Sequence, residues 1–177
     1  MVNEMFSIFK SKKTHAIEQS TGIIRSLIDG LKALWFGTTN IKLSDLSNVL
    51  DDPYAQGFLF AIADQSINLT TNKSLSNQKK GEIILKSFGD AFGVEFVVLK
   101  PWFSEIIEKL HGKAEPEFVR GVKNGTLLAR FVAHPNLTHS DADVQDILLK
   151  ARLMPDPQGW LIAELWFQEM QRLRPDW

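Results

Sequence analysis

The residues of this chain that could hold a metal or move a proton lie closest together in one segment, which carries His134, His139, Asp141, Asp143 and Asp146. Imidazole and carboxylate ligands together suit zinc, manganese or iron, and a metal-assisted hydrolase built on His134, His139, Asp141 and Asp143 is one function such a segment would support. The spacing weighs against it. Pro135 separates the two histidines, and Asp141 to Asp146 fall in the first turns of an expected helix, where carboxylates stabilise the positive helix end by about 0.3–1 kcal/mol each. As a calcium loop the segment fails at Asp146, where glycine is needed, and at Arg152, where glutamate is needed. Helix capping is the favoured reading of these acids.

Asp64 is the second candidate, because it interrupts the most apolar stretch of the chain. Buried there, a carboxylate would have a raised pKa and could act as a general acid. No histidine or glutamate stands at helical spacing to complement it, so a place on the helix's wet edge is favoured. His111 precedes Gly112 at an expected helix end, where an imidazole answers the negative dipole more readily than it ligates haem. Phosphate-cradling glycine loops, the nucleophile elbow and the H-E-x-x-H pair are all absent. With no cysteine, disulfide frameworks, thiolate zinc sites, iron–sulfur clusters and cysteine nucleophiles are excluded. No motif asks for a cofactor.

Those residues sit on a scaffold that the apolar pattern describes. The 177 residues are 44% hydrophobic and 23% charged, ordinary values for a single globular domain. Lys plus Arg is 20 against 21 for Asp plus Glu. That balance argues against general nucleic-acid binding, which needs a basic excess. No apolar run approaches the length that spans a bilayer and no secretory leader is recognisable, so a cytoplasmic location is expected. Met5 to Lys13 reads as an N-terminal arm. Its apolar side chains and lysines would permit weak peripheral membrane contact, although packing on the chain's own domain is preferred.

Proline placement favours helices throughout. Asp52-Pro53, Glu115-Pro116 and Asp156-Pro157 each put an acid before a proline at the start of an apolar-periodic run. Lys100-Pro101 is expected to open a helix in the same way, while Pro135, Pro155 and Pro175 read as stops. Periodicity predicts helices from about Thr14 to Phe36, with Gly30 a point of bending, and from Asp45 to Asp51. Further helices follow over Pro53 to Leu69, Gln78 to Phe92, Trp102 to Leu110 and from Pro116 onward. The Pro116 run is interrupted by Asn124-Gly125. The last two helices are Asp141 to Leu153, capped by Ser140, and Pro157 to Arg174. Tyr54, Phe58, Leu59, Phe60, Ile62 and Ile67 point all round the Pro53 helix, which makes it the expected centre, and Ala55, Gly57, Ala61 and Ala63 would let its neighbours come close. Val94 to Leu99 is strand-like by propensity but has nothing to pair with, and reads as a buried segment, extended or helical.

The expected fold is therefore all-α: a compact bundle of about seven or eight helices over residues 14–177, preceded by the 1–13 arm. The chain's most unusual feature is its five tryptophans and twelve phenylalanines. Aromatics concentrate near the C-terminus, and aromatic surface is typical of interfaces. The leading expectation is a non-enzymatic adaptor or inhibitor-type protein. It would bind another protein or itself through Trp160, Trp166, Phe167, Met170 and Trp177, although for Trp166 and Phe167 a place in the core is the favoured reading. Besides the metal-assisted hydrolase, a helical pocket for an apolar small molecule stays open, lined by Phe58, Phe60, Trp102 and Phe103.

Overall fold

The computed structural model of the chain describes residues 2–37, 47–71 and 75–174. These fold as helices: α1 (Val2–Phe36), α2 (Ser47–Leu50), α3 (Pro53–Thr71), α4 (Asn77–Phe92), α5 (Phe96–His111), α6 (Pro116–Ala133) and α7 (Ala142–Leu153). A C-terminal helix follows in four joined pieces: α8 (Pro157–Ile162), a π-helical turn (Ala163–Phe167), α9 (Gln168–Met170) and a 3-10 turn (Gln171–Leu173). No strand occurs among the described residues. The chain is an all-α bundle, as its periodicity predicts.

The caps show how the sequence starts these helices. Asp52 accepts from the Ala55 amide through Oδ1 at 3.0 Å, and Asp156 accepts from the Gly159 amide at 3.0 Å. Each satisfies a backbone donor that the first turn leaves free, behind a proline that has no N–H to satisfy. Glu115, one methylene longer, makes no such bond, although Pro116 still opens α6. At the other end of α4, Gly93 adopts φ 69°, the left-handed conformation that stops a helix without a Cβ penalty.

α3 is the centre. Tyr54, Phe58, Leu59, Ile62 and Ile67 are all buried, as are Ala55, Gly57, Ala61 and Ala63 between them. Across one side lies α1, which contributes Ile24, Leu27, Leu31 and Trp35. α1 also meets α4 through two small hydroxyls. Ser20 Oγ lies 2.5 Å from Ser87 Oγ, and the Ser87 hydroxyl donates to its own helix at the Ile83 carbonyl. On the α5 side the buried amide of Gln56 accepts from Lys109 Nζ at 2.7 Å and donates to Glu105 Oε1 at 3.3 Å. Lys109 in turn holds the Glu105 carboxyl below the usual carboxylate range.

The closest packing is between α3 and α6. Tyr54 faces Gly121, Phe58 faces Gly125 and Gln65 faces Arg130, so the two helices run side by side in the same direction. A Cβ on Gly121 would lie 2.1 Å from the Tyr54 carbonyl oxygen. One on Gly125 would lie 2.3 Å from the Phe58 carbonyl, and one on Gly57 would lie 2.3 Å from the Phe118 carbonyl. The obstacles are backbone atoms, which cannot swing aside. Small residues one turn apart thus let two backbones touch, and the facing Cα and carbonyl groups gain dispersion and weak C–H···O attraction.

Several expectations are corrected. α1 begins at Val2, well before Thr14, and is continuous through Gly30, where a Cβ would meet the tip of the Phe167 ring. α6 is likewise unbroken at Asn124-Gly125. Pro101 does not open a helix: α5 starts at Phe96, and the proline sits inside it. Val94 to Leu99 is helical from Phe96 and mostly exposed. Val97 and Val98 keep 51% and 65% of their surface, while Leu99 is buried. α3 continues to Thr71, two residues beyond the expected end at Leu69, and the Thr71 hydroxyl donates back to Ile67 O. Asp45, Leu46 and Pro175 lie outside the described residues.

The glycine contact generates the first prediction. Gly121→Ala is expected to destabilise the fold by about 1–3 kcal/mol in urea unfolding, the range for overpacking a filled site. Gly22→Ala places its methyl where nothing lies within 4 Å, and is expected instead to stabilise by up to about 1 kcal/mol through helix propensity. Similar effects from both would show that the α3–α6 approach is not tight.

Candidate functional site

The C-terminal helix turns its aromatic side inward. Trp166 is fully buried with its ring 4.8 Å from that of Phe58, and Met170 is fully buried as well. Phe167 is half-buried beneath Gly30, and Trp160 is half-buried against the core. In this conformation Trp166 and Met170 hold the helix onto α3 and offer no surface to a partner. Trp177 lies outside the described residues.

This helix is fixed by a polar chain. In the π-helical turn the Gln168 amide reaches back five residues to the Ala163 carbonyl. Within the turn, the Leu165 carbonyl accepts a hydrogen bond from the buried Tyr54 hydroxyl. The Asn124 side-chain amide donates to the same hydroxyl oxygen at 3.0 Å, so Tyr54 links α3, α6 and the C-terminal helix. Burial pushes the Tyr54 phenol pKa well up, which keeps it a neutral donor. Arg120 lies over the Tyr54 ring, 5.1 Å from its centroid, and pairs with Glu169. Arg172 closes the other end of the helix on the buried carboxylate of Asp52 at 2.7 Å.

The acidic segment before α7 works as a cap. Asp141 Oδ1 accepts from the Asp143 and Val144 amides at 3.0 and 3.2 Å, so Asp141, not Ser140, starts the helix. His139 Nδ1 accepts from the Asp141 amide at 3.1 Å, while His134 ends α6. Asp146 pairs with Lys150 at 2.7 Å and holds its ammonium above the usual pKa. Among the described residues no three His, Asp or Glu side chains are placed to hold a metal ion. Asp64 is half-buried and accepts from Asn68 at 2.8 Å, and Asn68 in turn accepts from Lys80. His111 is exposed in the last turn of α5.

Phe58, Phe60, Trp102 and Phe103 pack against different neighbours. Phe58 packs between Tyr54 and Trp166. Trp102 stands edge-on to Phe88 at 4.9 Å and donates to the Leu50 carbonyl at 2.6 Å. Phe103 covers Gly81, and Phe60 is half-buried against the core.

The residues that the sequence reading passed over are on the outer face of α7. The buried side of this helix carries Leu148 and Ala151. Leu149 and Leu153, one turn apart on the opposite side, keep 49% and 83% of their surface exposed, and Met154 after them keeps 36%. The Asp146–Lys150 pair borders this ridge. The signal was present in the sequence, because Leu149 and Leu153 fall off the stripe that Val144, Ile147, Leu148 and Ala151 define. α7 itself is held in place by Arg152, whose Nε donates to Pro135 O at 2.9 Å and whose Nη2 donates to Leu137 O.

Comparison with family models, with curated proteins and with solved structures finds no match for the chain. No helix among the described residues is long and apolar enough to cross a membrane.

The Tyr54 chain gives the second prediction. Tyr54→Phe removes a donor from Leu165 and an acceptor from Asn124 inside the bundle. It is expected to cost about 1–3 kcal/mol in urea unfolding. A loss below about 0.5 kcal/mol, less than one ordinary hydrogen bond, would show that the π-helical turn does not depend on this hydroxyl.

Proposed function

We propose that the chain is a non-enzymatic protein-binding module, and that it binds through the outer face of α7 in place of the aromatic C-terminal helix. The observation that carries this reading is the leucine pair Leu149 and Leu153, exposed one turn apart, with the exposed Met154 at the C-cap of the helix. Apolar side chains scattered singly over a surface need no explanation, but an exposed pair on one helix face has the i, i+4 spacing with which helices dock. The ion pair Asp146–Lys150 supplies a polar rim of both signs, as interfaces commonly have around an apolar centre. The partner implied is a protein with an apolar helix or groove.

Leu149→Asp with Leu153→Asp tests the assignment. Both side chains are largely exposed, so the double variant is expected to keep the wild-type melting temperature. It is also expected to lose from its co-purifying set at least one protein that wild type and a Val98→Asp control both retain, a second copy of the chain counting as a member. An identical set from all three would contradict the assignment.

A further inference from the structure

We propose that the cleft between α6 and the loop leading into α7 binds a small amphipathic anion, a carboxylate or phosphate monoester on an apolar body. This cleft lies on a different side of α7 from the leucine ridge, and the inference is independent of whatever docks there. Its volume is about 420 Å³, within the range of small-molecule sites.

Three basic side chains line it: Lys123 and Arg130 from one face of α6, and His139 from the loop. Lys123 and Arg130 are seven residues apart, two turns and about 10 Å along the helix, so they flank the opening at its two ends. Neither is neutralised by a carboxylate among the described residues. Arg130 turns its Nε to Gln65 Oε1 at 3.5 Å, which leaves Nη1 and Nη2 as a pair of donors of the kind that grips carboxylate or phosphate bidentately. His139 is oriented from behind. Its Nδ1 accepts from the Asp141 amide and its own amide donates to Gln145 Oε1 at 2.7 Å. With Nδ1 occupied as an acceptor, the neutral ring carries its proton on Nε2.

The one carboxylate lining the cleft, Asp141, is committed to the α7 amides that it caps. Those bonds turn it toward the helix end, and it forms no ion pair with Lys123 or Arg130. Leu127, Leu137 and Val144 supply the apolar part of the lining, which suits an alkyl or aryl body and not a bare ion. The loop wall is preformed, because Arg152 pins the Pro135 and Leu137 carbonyls, so little ordering is required on binding.

Isothermal titration calorimetry of the full chain with octanoate, octyl phosphate, inorganic phosphate and octanol tests this. Saturable one-to-one binding of octanoate or octyl phosphate is expected, and the tighter of the two identifies the head group. Inorganic phosphate and octanol are expected to bind at least about tenfold more weakly, each lacking one half of the recognition. Arg130→Gln, at an exposed position, is expected to leave the melting temperature unchanged and to weaken the better amphiphile about tenfold, as loss of a charge-assisted pair should. The proposal is overturned if neither amphiphile saturates at millimolar concentration, if octanol or inorganic phosphate binds as tightly as the amphiphiles, or if Arg130→Gln leaves the affinity unchanged.

Discussion

Two backbones in contact, α3 against α6, set the terms for the rest of this bundle. Gly57, Gly121 and Gly125 remove the side chains that would otherwise hold the helices apart, and the carbonyls of Phe118, Tyr54 and Phe58 occupy the space that Cβ atoms would need. The geometry is discrete. Sliding either helix along the other would drive a larger side chain against backbone, so the contact fixes register as well as distance. From that register follows the position of Asn124 beside Tyr54 and of Gln65 beside Arg130.

The C-terminal helix then docks on a surface already defined. Trp166 fills the space beside Phe58, and its indole N–H finds no acceptor among the described residues, so packing alone holds the ring. Polar contacts set the angle and end of the helix: Tyr54 on the Leu165 carbonyl, Arg120 on Glu169, and Arg172 on Asp52. A widened turn in the middle of a helix is a place where one residue too many has been accommodated. Here it coincides with the tyrosine hydroxyl that reaches it. α7 is carried by the same arrangement, packed against α8 on one side and tied by Arg152 to the loop that leaves α6. Its outer leucines are exposed because no further element of the described chain covers them.

The helices were legible because their signals are local. An acid before proline marks the starts of α3 and α8, Gly93 and Gly112 follow the ends of α4 and α5, and the apolar spacing of α1 and α3 survives intact. What failed to show were roles decided by a distant partner. Gly125 looks the same in sequence whether it breaks a helix or admits Phe58 from another one. Pro101 reads as a start because nothing local says that α5 begins five residues earlier. Trp166 and Met170 are apolar in either setting, and only the position of α3 decides that they face inward. His139 is brought to the α6 face carrying Lys123 and Arg130 by the path of a loop, which residue spacing does not encode. Leu149 and Leu153 were readable as departures from the α7 stripe, but exposure had to be seen to give the departure meaning.

The claim on which all of this rests is that the α3–α6 glycine seam is the last part of the molecule to open. Native-state amide hydrogen exchange measures that directly. The amides of Phe58 to Ile62 in α3 and of Gly125 to Ala129 in α6 are expected to exchange only at the free energy of global unfolding. Those of α7 are expected to exchange through cheaper local openings. Exchange of the α6 amides at lower free energy than those of α7, with α3 still protected, would contradict the account.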